Sequence, residues 1–249
     1  MYLFLVLFGV LVCCCTKEND LKEIDDVCIK IEDNNFMRFC IENFDVNLDG
    51  EVSMNEASLV KEINCSKRSI TTLKGIEYFS NIDKLDCSQN DLSSLDISNN
   101  TQLIHLICSN NKLSSLDVSK NIHLTRINCL NNEITTLDVS KNTHLIYLCC
   151  SINSISSLDV STNTQLNYLY CASNGLSSLD VFKNEDLRHI DCSDNKLSSL
   201  DVSKNEELRY INCTNNALSS LDVSNNTKLT QCYYNPQKDG RVISITGWE

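Results

Sequence analysis

Residues 45 to 56 read DVNLDGEVSMNE and crowd oxygen donors into a twelve-residue stretch. Asp45, Asn47 and Asp49 alternate, Gly50 permits a sharp turn, Glu51 offers a backbone carbonyl, Ser53 a hydroxyl and Glu56 a closing carboxylate. A hard cation such as Ca2+ takes roughly six to eight oxygens in a flexible cage. The spacing therefore predicts that Asp45, Asn47, Asp49, Glu51, Ser53 and Glu56 hold one, with a loop retained only as a turn as the alternative. A second set is the cysteines at 87, 108, 129, 150, 171, 192 and 213. Zinc wants paired clusters rather than single, evenly spaced thiols, so these are expected as free buried thiols behaving like small hydrophobes.

Catalysis finds little material. The chain has four His. His105 and His189 share one face of the repeat described below but lie four rungs apart, about 19 Å at a strand spacing of about 4.8 Å. His123 and His144 fall in connecting turns. Neither a serine elbow, a phosphate loop nor HExxH occurs, and Cys149 with His144 or Tyr170 lacks a third group to orient a base. The expectation is a non-enzymatic protein. Its formal charge of −12 also speaks against a nucleic-acid partner, which requires a basic face. The acid is concentrated early: residues 16 to 58 hold four Lys/Arg against twelve Asp/Glu, net −8.

What positions these groups is a period. The seven cysteines are 21 residues apart, and in register the unit is LxxLxCxxNxLSSLDVSxNxx, as in LIHLICSNNKLSSLDVSKNIH from Leu103. Six apolar columns recur once per unit, more than one unit can bury alone, so neighbouring units must stack into one continuous core. The LxxLxC stretch is the strand. The Asn columns at 90 to 216 and 100 to 226, and the Asp column at 96 to 222, are expected to serve turns and caps rather than ligands. With six Gly in the chain, a Gly-rich calcium roll is not expected.

The third and fifth positions of each unit vary while the core columns do not, and they should point out of the strands onto the inner face. There Arg126, Tyr147, Tyr168, Tyr170, His189, Asp191 and Tyr210 gather over consecutive rungs with Arg209 nearby, a composition typical of binding hot spots. A plain solvated sheet face is the alternative. Cys149, beside Cys150, should lie exposed on that same side.

The repeat resembles the leucine-rich repeat, with Cys where Leu is commoner, over residues 60 to about 235. That resemblance implies an α/β solenoid with a parallel β-sheet on the concave face. Residues 60–81 form a divergent turn of 22 residues in which Ile63 and Cys65 keep their columns and Arg68 replaces the Asn. At the other end LTQCYYNPQKDGRVISITGWE loses two residues before Cys232 and ends in a strand-like VISITGW that could cover the last rung. The twelve-residue loop resembles an EF-hand, flanked by a stripe of Phe36, Phe39, Cys40 and Phe44 and by a Ser53–Glu56 capping box, so an N-terminal helical EF-hand-like cap is expected.

Residues 1 to 15, MYLFLVLFGVLVCCC, are apolar and end on cysteine before a charged segment. That is shorter than the ~20 residues of a spanning helix and resembles a lipoprotein signal, with Cys15 as the expected lipidated residue ahead of Cys14 and Cys13. The expected organisation is a signal at 1–15, a flexible acidic tether at 16–32, the cap at 33–59, the solenoid at 60–228 and a C-terminal cap at 229–249. The combination resembles cell-surface leucine-rich repeat lipoproteins of Gram-negative bacteria, with a distant likeness to internalins. It implies an exported monomer, lipid-anchored at the outer membrane or cell surface, whose concave face takes a protein or glycan, as in adhesion. A structural envelope lipoprotein without a specific ligand is the alternative. Whether Cys28 and Cys40 pair is left open by the sequence.

Overall fold

The computed structural model describes residues 27–248; the expected signal, Cys15 and most of the tether lie outside them. The 21-residue period becomes one strand per turn. Strands β1 (Glu62–Asn64), β2 (Lys84–Asp86), β3 (His105–Ile107), β4 (Arg126–Asn128), β5 (Tyr147–Cys149), β6 (Tyr168–Tyr170), β7 (His189–Asp191) and β8 (Tyr210–Asn212) pair in parallel in chain order. A ninth neighbour, β10 (Gln231–Tyr233), pairs with β8 and closes the sheet. Register repeats at 21, as in His105 opposite Arg126 and Arg126 opposite Tyr147, and the first turn is one longer, with Glu62 opposite Lys84. Strands β1 to β8 bury their middle residue and, apart from the buried Cys149 of β5, turn their flanks outward, the two-residue alternation of a pleated strand.

All six apolar columns are buried in a single continuous core, the seven cysteines from Cys87 to Cys213 included. These thiols form no disulfides, and burial pushes them up, Cys108 to about 12. Cys28 and Cys40 are not joined either. Where each strand turns away, the first Asn column ties rungs together. Asn132 Nδ2 donates to Cys108 O and Cys129 O at 3.1 and 3.0 Å, and its Oδ1 accepts from Leu113 N at 3.0 Å. In the second column Asn142 Nδ2 donates to Val118 O and Asn121 O. The Oδ1 atoms of that column are buried and accept no hydrogen bond from the protein. The Asp column closes turns: Asp117 Oδ1 accepts from Ser119 N at 2.9 Å.

Each rung also places one residue in the left-handed region just before the first Asn column, from Gln89 (φ 56°) to Asn215 (φ 54°). Asn, Asp and Ser tolerate this conformation; Ile152 (φ 55°), β-branched, does not.

The last turn corrects the sequence reading. Gln231 lies opposite Tyr210 and Cys232 opposite Ile211, so the period of 21 continues and no residue is lost. Cys232 occupies the leucine column, not the cysteine column. The reason is that sheet register follows the strand hydrogen bonds, and an apolar Cys fits either column. Gln237 then takes the ladder position of Asn, its Oε1 accepting from Leu218 N and its Nε2 donating to Cys213 O and Tyr234 O. Strand β11 (Ser244–Thr246) pairs in parallel with β9 (Ser220–Asp222) on the far side of the last rung.

At the other end α1 (Asn34–Phe44) is capped by Asp33, whose Oδ1 accepts from Asn35 N and Phe36 N while Oδ2 accepts from Thr71 N and Oγ1. One carboxylate thus starts the helix and fastens it to the first turn. Burial raises its pKa, and the Thr71, Phe36 and Asn35 donors outweigh this and hold it below the usual range. Phe36 and Phe39 are buried, packing with Phe44 and Phe79. After the acidic loop, α2 (Met54–Leu59) carries the expected capping box of Ser53 and Glu56 but spans six residues, so the cap has one substantial helix rather than two. Residues 27–32, placed in the tether by the sequence reading, lie against this cap. Glu32 pairs with Lys74, and Gly75 (φ 111°) sits so close to Ile31 that a Cβ there would fall 2.9 Å from its side chain.

Candidate binding face and cation loop

Strands β4 to β8 carry all of the expected binding residues except Arg209, and the side chains of Arg126, Tyr147, Tyr168, Tyr170, His189 and Tyr210 touch one another. The Arg126 guanidinium lies 3.7 Å from the centre of the Tyr147 ring. Tyr147 meets Tyr168 at 6.1 Å and Tyr170 at 5.6 Å. Tyr168 stacks on His189 at 4.9 Å, and His189 on Tyr210 at 6.0 Å, each pair tilted by 21°. The column runs on to Tyr233 of β10, 5.8 Å from Tyr210. The period creates this stack, since residues 21 apart lie about 4.8 Å from one another in a parallel sheet, close to ring-stacking distance. Burial raises the phenol of Tyr147 to about 12 and raises Tyr170 and Tyr210 as well, so all three stay protonated at neutral pH. Burial, then Arg209 and Arg188, lowers His189, whose Nδ1 is enclosed without a hydrogen-bond partner. It is a neutral ring in a stack.

Asp191 shares the face but not the stack: its Oδ1 accepts from Ser193 N and Oγ, and its Oδ2 from Asn212 Nδ2. Arg209 is exposed beside the column, with Arg188 on the adjacent rung. Arg188 and Tyr233 are absent from the sequence reading. The signal for Arg188 is its spacing of 21 from Arg209; Tyr233 becomes visible only in the register of the last turn. A shallow cleft of about 450 Å³ lies between His105, Thr125, Arg126, Tyr147, Tyr168 and Tyr170.

Cys149, expected to be exposed here, is 7% exposed. It flanks Tyr147 on its own strand and Tyr170 on the next, and those larger side chains cover it. Burial raises its pKa, against the lowering by Ser151, Tyr147 and Arg126, so it is a poor nucleophile.

In the acidic loop the donors face the chain's own backbone. Asp45 accepts from Leu48 N and Gly50 N, Asn47 Oδ1 from Asp49 N, and Asp49 Oδ1 from Glu51 N. Leu48 (φ 63°) and Gly50 (φ 88°) provide the reversals. Glu56 Oε1 accepts from Val46 N and Asn47 N, and Oε2 from Ser53 N and Oγ; with Ser53 N the strongest influence, its pKa is lowered. The donor set suits a hard cation, all oxygen within one loop, and the ionised Glu56 is in place. Among the described residues, however, no three His, Cys, Asp or Glu side chains converge on one point. Cation binding requires Glu56 to exchange hydrogen bonds for coordination. Outside the loop, Ile29 N donates to Val52 O at 2.8 Å and Met54 N to Val27 O at 2.9 Å. Residues 27–29 thus supply the antiparallel strand that braces the loop.

No protein-family model matches the chain, and no curated protein does. Solved structures do match. Internalin C2 of Listeria monocytogenes superposes with a TM-score of 0.73 at 21% identity, over 81% of this chain and 94% of that one. The fold is the leucine-rich repeat solenoid. A leucine-rich repeat protein of Leptospira interrogans agrees, with a TM-score of 0.67 at 21% identity over 74% of this chain and 51% of that one. The functional domain of InlJ from Listeria monocytogenes, described as including a cysteine ladder, is 28% identical over 87% of this chain and 60% of that one, with a TM-score of 0.41, too loose to bear on the fold. The chain therefore spans about half to three fifths of these last two proteins. No helix among the described residues is long and apolar enough to cross a membrane.

Proposed function

We propose that this leucine-rich repeat protein is a non-enzymatic surface protein that binds a macromolecular ligand, as an adhesin does, through its concave face. It is exported and anchored by a lipid on Cys15, with the 45–56 loop holding a structural Ca2+. One observation carries the binding reading: the Arg126–Tyr147–Tyr168–His189–Tyr210 column is packed before any partner arrives. Prepacked aromatic and arginine side chains lose little freedom on association, which is how a surface of ordinary area becomes a strong one. The varied inner face over uniform core columns supports the same reading. Calcium would be held by Asp45, Asn47, Asp49, the Glu51 carbonyl, Ser53 and Glu56, and would stiffen the first turn through α2 and the 27–29 strand. In the test, the triple variant Tyr147→Ala, Tyr168→Ala, Tyr170→Ala loses capture of partners from intact host or neighbouring cells; retained capture would refute the binding face. For calcium, titration calorimetry should show uptake by the unaltered protein and none by Asp45→Ala. No heat from the unaltered protein ends that part of the proposal.

A further inference from the structure

Resting on the concave-face reading, we infer that the partner presents an acidic polypeptide segment, whose carboxylates are received by Arg126, Arg188 and Arg209. The chain has a formal charge of −12, yet Arg126 lies on β4 and the exposed Arg188 and Arg209 immediately precede β7 and β8, close enough to His189 of the ring column to act on its charge. Among the described residues Arg68 is the sole arginine in an ion pair. The carboxylate that Arg188 and Arg209 influence, Glu207, is held first by Lys228. In a chain with so much acid, surface arginines that take no carboxylate of their own leave a charge for something else to meet. Arg126 is fixed in addition by its ring contact, so its donors are held in place at the cleft edge.

The spacing sets a footprint. Arg188 and Arg209 are on adjacent rungs and Arg126 is three rungs from Arg188, about 14 Å at about 4.8 Å per strand. A complementary segment runs across the strands, along the solenoid axis, with carboxylates at both ends of that span.

The same rings argue against a glycan. Sugars bind aromatic platforms by lying against an open ring face. Here the faces of the column are partly taken: His189 is stacked between Tyr168 and Tyr210, and the Arg126 guanidinium lies over Tyr147.

The full chain is immobilised and exposed to a random glutamate–tyrosine copolymer, to dextran and to polylysine at physiological salt. The copolymer should bind, more weakly as salt rises, and dextran and polylysine should not. Arg126→Gln, Arg188→Gln and Arg209→Gln together should weaken copolymer binding by roughly tenfold or more. Lys120→Gln, Lys141→Gln and Lys183→Gln, three exposed lysines off the sheet that change net charge equally, should leave it within about twofold. Absent copolymer binding, preference for dextran, or equal loss in the two triples would each overturn the inference. Its failure is separable from that of the binding face: if the arginine triple still captures the natural partner and the tyrosine triple does not, the face stands and the acidic partner falls.

Discussion

Asn132→Ala should clearly destabilise the solenoid, although it removes no apolar contact column. Asn132 is buried, and its amide serves backbone groups on two rungs: Nδ2 donates to Cys108 O, Cys129 O and, at 3.4 Å, Leu130 O, and Oδ1 accepts from Leu113 N. Alanine leaves the Leu113 N–H without a partner, in a place where water enters only by parting the rungs, and takes one of two ladder donors from each carbonyl, Asn111 Nδ2 remaining on Cys108 O and Asn153 Nδ2 on Cys129 O. A buried orphan costs roughly 1 to 3 kcal/mol, so the one lost N–H partner and the two weakened carbonyls together cost about 2 to 3 kcal/mol. Asn132→Asp keeps the acceptor for Leu113 N but turns a carboxylate oxygen toward two carbonyl oxygens, so at pH 7 it should be at least as harmful, with relief on acidification as the carboxyl becomes a donor. Because each rung touches only its neighbours, the loss should appear as earlier melting of the central turns. Urea unfolding followed by circular dichroism, with hydrogen exchange resolved by rung, measures it against Thr135→Ala, an exposed control expected to change stability by less than about 0.5 kcal/mol. If Asn132→Ala lies within about 1 kcal/mol of that control, the ladder is not what couples the rungs.

Ile152, half exposed and left-handed, should gain about 1 kcal/mol on replacement by Asn, read as a higher urea midpoint; a loss would show that its conformation is not strained. In native protein the Cys87 to Cys213 column should stay protected from a maleimide reagent until denaturant is added, after which all of those thiols should count as free. Disulfides among them would contradict the buried-thiol core. In the Asp column, Ser N–H and O–H groups hold the carboxyls of Asp96, Asp117, Asp138, Asp159, Asp201 and Asp222 below their ordinary value of 3.8. The unfolded chain then binds more protons than the folded one, so the melting temperature should hold above that value and drop as pH falls through the lowered ones. An unchanged melting temperature down to pH near 2.5 would rule out this contribution.

The binding face shows how far periodicity reaches. Tyr147, Tyr168, His189 and Tyr210 are assigned to one column by counting alone, because a parallel sheet returns every twenty-first residue to the same height on the same face. Counting says nothing of how rings tilt, and so gives no sign that Arg126 covers Tyr147 or that His189 is stacked between Tyr168 and Tyr210. Cys149 is the clearest case: strand alternation sends it outward correctly, yet its neighbours' size, not its direction, decides its exposure.

The repeat period, the six core columns, the turn-forming Asn and Asp columns and the capping box were all determined by the sequence itself, since each depends on contacts repeated once per turn or on groups within four residues. The register of the last turn, with Cys232 in a leucine position and Gln237 in place of Asn, was settled only by the tertiary structure, as was the brace of residues 27–29 on the acidic loop. Those features occur where the period ends. There a segment must satisfy whatever backbone groups the last full rung leaves open, and that demand is set by three-dimensional neighbours rather than by any repeating pattern.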